Sequence, residues 1–136
     1  MEILENSLSN LDIIENLNEN IDENNINKRV CIFGQGFVGL PLTLSFAFRG
    51  CKAIGVDVDD MLVANTNKGL THHTEKFYEA SIKEILNMQL QSGRYKATVD
   101  GAAAVRECNN IIVTVGIPIK NGKYIMDYLE SACITI

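Results

Sequence analysis

The sequence predicts an α/β fold, a parallel sheet with helices on both faces. Three observations carry the prediction. Short apolar, β-branched runs alternate with helical patterns along residues 28–136, an order that builds parallel sheets through right-handed crossovers. The first run passes at once into a glycine-spaced loop that opens a helix, and the second ends on an acid.

Taken in order, the elements begin with a head, residues 1–27, that holds seven acids and no Lys or Arg. Leu4, Leu8, Leu11, Ile14, Leu17 and Ile21 repeat at helical spacing. The many Asn residues oppose a helix, so the head is an amphipathic helix or a disordered segment. Val30–Phe33 is a buried strand. A helix follows from about Val38 to Arg49, with Pro41 in its first turn, where a missing N–H costs least. Ala53–Val56 is the second strand. Asp59 or Asp60 caps a short helix through Asn67, and residues 70–75 form a loop. Lys76–Gln91 reads as a longer helix with Phe77, Ile82, Ile85, Leu86 and Leu90 inward, and Gly93 lies past its end. Tyr95–Val99 is the third strand, Asp100 caps Gly101–Glu107, and Ile111–Val115 is the fourth strand. A turn with Pro118 and Asn121-Gly122 leads to a helix opened by Asp127. The pattern is expected to be truncated after this fourth strand and its following helix.

The chain has 136 residues, 46% hydrophobic and 21% charged, which suits one globular domain. The nearly apolar stretch Leu40–Phe48 is broken by Pro41, Thr43 and Ser45 and is too short to span a bilayer. The acidic N-terminus lacks the features of a secretory signal, so a cytoplasmic protein without membrane contact is expected. Residues 28–136 hold ten acids and twelve bases without a basic stripe interleaved with aromatics, which argues against nucleic-acid binding. Cys31, Cys51, Cys108 and Cys133 form no C-x-x-C pair and are read as buried, reduced thiols.

The chemistry centres on Gly34-Gln35-Gly36-Phe37-Val38-Gly39. A G-x-G-x-x-G alone is weak evidence, but here it follows a strand, opens a helix, and precedes Asp57 by 18 residues counted from Gly39. Gly34 permits the tight turn, Gly36 lets backbone approach a pyrophosphate, and Gly39 lets helix and strand pack closely. The N–H groups of Phe37 and Val38, with the helix dipole, suit a diphosphate. Asp57 can accept hydrogen bonds from the adenosine ribose hydroxyls and repels a 2′-phosphate, so NAD is favoured over NADP. A Rossmann-type domain over residues 28–136 follows.

The ordered motifs resemble the N-terminal NAD-binding domain of the UDP-glucose/GDP-mannose dehydrogenase family, including the UDP-N-acetylmannosamine dehydrogenases. They are Gly34 to Leu42, Gly55-Val56-Asp57-Val58-Asp59, Asn67-Lys68-Gly69, Thr74-Glu75, Gly93 to Asp100, Val113 to Pro118 and Asp127 to Ala132. The resemblance implies an oxidoreductase of polysaccharide biosynthesis, a nucleotide-sugar dehydrogenase. Such an enzyme oxidises the primary alcohol of a UDP-sugar to the uronate with two NAD+ and a cysteine that captures the aldehyde. It also implies a role for Thr98 at the cofactor. Leu62, Ile117 and Val99 depart from the family pattern. The family's catalytic Lys, Asn and Cys lie beyond Asp127, so no catalytic residue is assigned and this stretch alone is expected to be inactive. Cys133 reads as a small buried residue of the last helix, not as the nucleophile. The alternative is a nucleotide-sensing Rossmann regulatory module without catalysis.

Two further expectations remain. His72-His73 with Glu75 is read as an exposed loop near the cleft and not as a metal site. The unpaired edge beside the fourth strand, with the apolar stripe of the head, favours a homo-oligomer with contacts from residues 1–27 or 111–136.

Overall fold

The computed structural model describes residues 21–77 and 79–136. Four parallel strands form the central sheet: β1 (Arg29–Phe33), β2 (Lys52–Val56), β5 (Tyr95–Thr98) and β6 (Asn110–Val113), in the spatial order β5-β2-β1-β6. The helices are α1 (Gly39–Phe48), α2 (Asp60–Asn67), α3 (Ile82–Ser92), α4 (Gly101–Glu107) and α5 (Asp127–Thr135). Two short antiparallel hairpins complete the set, β3 (Lys76–Phe77) with β4 (Ala80–Ser81), and β7 (Ile119–Lys120) with β8 (Lys123–Tyr124). The predicted α/β class and parallel sheet are found.

The period-two alternation of the strands divides the interior into two cores. Val30, Ile32 and Ala53 point to one face, where α1 and α3 supply Leu40, Leu44, Phe48, Ile85 and Leu86. Cys31, Phe33, Ile54 and Val56 point to the other, covered by Ala104 of α4 and Ala132 of α5. The first core is the larger, and both helices over it are longer than α4. Phe48 and Phe77 meet edge to face with centroids 5.6 Å apart, which ties the β3–β4 hairpin to that core.

Most predicted boundaries lie within two residues of the observed ones. The expected helix over Lys76–Gln91 is the main correction: its first turn and a half is the β3–β4 hairpin, and α3 begins at Ile82. The reason is a capping box at Ser81. The Ser81 hydroxyl accepts from Glu84 N at 3.2 Å, and the Glu84 carboxylate accepts from Ser81 N at 2.8 Å, so the free donors are satisfied there and not at Lys76. The fourth strand is shorter than expected and ends at Val113. The Asn121-Gly122 turn closes the β7–β8 hairpin with φ of 53° and 73°, the left-handed pair that a two-residue hairpin requires.

Of the predicted helical stripe in the head, Leu4, Leu8, Leu11, Ile14 and Leu17 lie outside the described residues. Asp22 N donates to Arg49 O at 3.1 Å, and Asp22 caps a 3-10 turn, Glu23–Asn25. The chain therefore enters β1 along the α1–β2 turn.

Candidate functional site

A cavity of about 630 Å3 opens at the C-terminal ends of the parallel strands. Gly34, Gly36, Phe37, Val38 and Asp57 of the predicted site all line it. Gly39 stands behind the loop and Thr98 lies outside the lining. The Thr98 hydroxyl accepts from Asp100 N at 3.0 Å, and the wall at the end of β5 is Val99.

The three loop glycines have different surroundings. Gly34 has φ +90°, and a Cβ there would stand 2.7 Å from Thr114 O, so only glycine turns β1 this tightly. A Cβ on Gly39 would overlap the Gly34 carbonyl and lie 2.7 Å from Thr114 Oγ1, which fixes the close approach of α1 to β1. A Cβ on Gly36 would meet nothing within 4 Å. Packing therefore does not require glycine at that position, and the missing side chain leaves open space beside the cavity. Val38 occupies the N-cap of α1 without a side-chain bond, and no acceptor within the described residues takes the N–H of Phe37 or Val38. These donors, with the positive end of α1, favour an anion.

Asp57 directly follows β2, half-buried, and both of its carboxylate oxygens are oriented by backbone. Oδ2 accepts from Gln35 N at 2.8 Å and Oδ1 from Asp59 N at 3.0 Å. A carboxylate has about four lone-pair sites, so each oxygen can still accept from a ligand hydroxyl. Asp59 caps α2 by accepting from Met61 N and Leu62 N.

Sequence reasoning passed over Gln35, the variable second position of the loop. Its side chain is buried, at 2% exposure. Nε2 lies 3.1 Å from Ile32 O, 3.1 Å from Gly34 O and 2.9 Å from Thr43 Oγ1. Oε1 accepts from Tyr95 Oη at 3.0 Å, and the Thr43 hydroxyl donates to Gly39 O at 2.7 Å. One amide thus joins the loop, α1 and β5. A Cβ on Gly55 would overlap the Gln35 amide, so the glycine in mid-strand makes the room that this side chain fills. Burial, with the Asp57 charge adding to it, pushes the Tyr95 phenol well above its ordinary range.

Asn67 of the Asn67-Lys68-Gly69 motif binds the sheet edge. Its amide donates to Ala97 O at 2.8 Å and accepts from Ala97 N at 2.9 Å. It pairs with the outer edge of β5 as a neighbouring strand would. The loop histidines also differ from expectation. His72 is exposed, but the His73 side chain is only 9% exposed. Its ring stands 5.7 Å from that of Phe37, with Nδ1 3.1 Å from Glu75 Oε2 and Nε2 3.3 Å from Gly36 O.

The thiols need a correction. Cys31 and Cys51 are buried, but Cys108 is half-buried and Cys133 is exposed. Helix α5 turns Ala132 toward the sheet, and the next residue falls about 100° around the helix, toward solvent. No helix among the described residues is long and apolar enough to cross a membrane.

Comparison with known proteins fits this geometry. The profile of the UDP-glucose/GDP-mannose dehydrogenase family, NAD binding domain, matches residues 28–136. GDP-mannose 6-dehydrogenase of Pseudomonas syringae pv. syringae is 32% identical over 106 residues, which are 77% of this chain and 23% of that protein. UDP-N-acetyl-D-mannosamine dehydrogenase of Campylobacter jejuni is 35% identical over 111 residues, 80% of this chain and 25% of that protein. Among solved structures, a ternary complex of GDP-mannose dehydrogenase from Pseudomonas aeruginosa superposes with a TM-score of 0.71 at 31% identity, covering 79% of this chain and 24% of that one. The chain spans about a quarter of the length of the relatives it matches.

Proposed function

This chain belongs to the UDP-glucose/GDP-mannose dehydrogenase family, as its NAD-binding domain, and from that premise we propose how it holds the cofactor. The diphosphate lies on the loop Gly34, Gly36, Phe37, Val38 and Gly39, and the adenosine ribose lies on Asp57. The observation that carries this reading is the bond from Gln35 N to Asp57 Oδ2 at 2.8 Å. It sets the carboxylate and the anion cradle at a fixed separation, as one ligand touching both requires. The open space at Gly36 fits a pyrophosphate approaching the backbone. Val58 and Val99 on the cavity wall offer apolar surface to an adenine. Thr98 acts indirectly, through Asp100 and the end of β5.

NAD, when bound, would supply the hydride acceptor. The residues of this span bind and orient it, and no side chain here is assigned to the chemistry. In the whole protein the substrate is a nucleoside-diphosphate sugar, a UDP-sugar in this reading, whose primary alcohol is oxidised to the carboxylate with two NAD+. The names of the relatives, acting on GDP-mannose and UDP-N-acetyl-D-mannosamine, support that substrate class. Residues 28–136 form the binding unit, the protein works in the cytoplasm, and this span alone binds cofactor without turnover. Association through residues 1–27 or 111–136 is supported by Ile119 and Ile134, 66% and 86% exposed among the described residues. Light scattering of a monodisperse monomer would refute it.

The binding assignment is tested by calorimetric titration of NAD and NADP into the chain and into Asp57→Ala and Gly36→Val. Unchanged affinity in both variants removes the site.

A further inference from the structure

The loop between α2 and β3 reaches across to the glycine loop through one side chain. His73 Nδ1 faces Glu75 Oε2 at 3.1 Å, and Nε2 faces Gly36 O at 3.3 Å. Both partners, a carboxylate and a carbonyl, are acceptors only. A neutral imidazole carries one N–H and can serve one of them, whereas a doubly protonated ring donates to both. The side chain is 9% exposed, so water is a poor substitute for the second bond.

We propose that His73, as an imidazolium, clasps the phosphate loop and thereby couples dinucleotide binding to proton uptake. The half that concerns the dinucleotide rests on the NAD reading above. His73 acts as a positioning residue: it does not line the cavity, but, together with Leu40 N at 3.3 Å, it holds a carbonyl of the loop that does. The Gly36 carbonyl shares a planar peptide with the Phe37 N–H, so fixing one fixes the other, which points the opposite way. The clasp also places a positive charge one residue from the proposed diphosphate position.

Among the described residues, His72 and Lys76 flank the His73–Glu75 stretch in sequence. Glu75 touches the ring, and Asp57 holds the neighbouring Gln35 N from the β2 side. The loop from Gly34 to Leu40 has no ionisable side chain. Glu75 is held below the usual carboxylate range, chiefly by its own backbone N–H, with His73 contributing. It therefore remains an acceptor. A second proton on the ring lets both bonds form and holds the loop; its loss gives up one of them, so the clasp tightens toward acid pH.

The test has two readouts on the full 136-residue chain. Without ligand, NMR follows the His73 ring nitrogens and the Phe37 amide from pH 5.5 to 8.5, in the chain and in His73→Phe, which keeps a ring beside Phe37. The expected result is a doubly protonated His73 at the acid end and a Phe37 amide that titrates with it, a response absent from the variant. A neutral His73 ring at pH 5.5, or a Phe37 amide that ignores it, overturns the clasp. With NAD+, calorimetry in buffers of differing ionisation enthalpy should find fractional proton uptake and a dissociation constant that rises about tenfold from pH 6 to 8.5, the lower end for one charge-assisted hydrogen bond. His73→Phe should bind more weakly at pH 6 with a flat profile, and His72→Asn should keep the slope. A slope that survives in His73→Phe overturns the coupling. Absence of NAD binding alongside an intact ligand-free response refutes the cofactor reading and the coupling that rests on it, and leaves the clasp standing.

Discussion

Gln35 and Asp57 are 22 residues apart in sequence and joined by a 2.8 Å hydrogen bond from the Gln35 N–H to Asp57 Oδ2. The bond makes the glycine loop and the acid of β2 one rigid unit. Asp57→Ala removes both the proposed ribose acceptors and the anchor of the loop, and should weaken NAD binding about 10- to 100-fold, the range for losing hydrogen bonds to a charged group. It should also narrow the preference for NAD over NADP, because the charge that repels a 2′-phosphate is gone. Calorimetric titration of both nucleotides measures this, and equal loss for both would show that Asp57 does not select between them.

Gly36 and Gly39 separate binding from folding. A Cβ at Gly36 would meet no protein atom within 4 Å, and its φ is not left-handed, so Gly36→Val should keep the melting temperature within a few degrees while NAD affinity falls. Gly39→Ala drives a methyl into the Gly34 carbonyl and should destabilise by about 3 kcal/mol, at the upper end of overpacking costs. Thermal denaturation of both variants decides it. A large loss of stability in Gly36→Val would mean that packing, not a ligand, requires the glycine.

The Gln35 network should carry stability. Gln35→Met keeps the volume but leaves the buried Tyr95 hydroxyl without its acceptor and Ile32 O without its side-chain donor. The expected loss is about 1–3 kcal/mol. Gly55→Ala should act at the same place by displacing the amide that its Cβ would overlap. The two effects should be less than additive, since both break one network. Chemical denaturation of the single and double variants gives the coupling, and full additivity would show that Gly55 serves another purpose.

These residues mark the limit of what the sequence discloses. The four strands of the central sheet, α1, α2, α4 and the Gly34–Asp57 arrangement were legible because periodicity, glycine spacing and caps are local signals. Gln35 was not, because its partners Thr43 and Tyr95 lie 8 and 60 residues away and an amide in a loop carries no pattern of its own. The β3–β4 hairpin was hidden because Lys76 to Ala80 extend the apolar spacing of α3. The capping box at Ser81 and Glu84 was the available signal for the true start. The position of His73 could not be read because its second acceptor, Gly36 O, is 37 residues away. Cys133 was misplaced because the orientation of α5 follows from its contact with α4 and the sheet, which no local pattern encodes.

The thiols give the last prediction. Burial pushes the Cys31 thiol up from 9.0 to about 12, and burial also raises Cys51 and Cys108. A thiol that resists ionisation in the folded chain but ionises freely when unfolded stabilises the fold fully below the unfolded value. That contribution is lost as pH rises from about 9 toward 12. Tyr95, raised by its burial, acts with the same sign. The urea midpoint should therefore be steady from pH 7 to 8.5 and fall between pH 9 and 10.5, with a shallower fall in Cys31→Ala. At pH 8 a thiol reagent should label exposed Cys133 first and Cys108 more slowly, while Cys31 and Cys51 react at the rate of unfolding. A midpoint that does not change up to pH 10.5, or rapid labelling of Cys31 in the folded chain, would show that the thiol at the centre of β1 is not shielded as its 0% exposure requires.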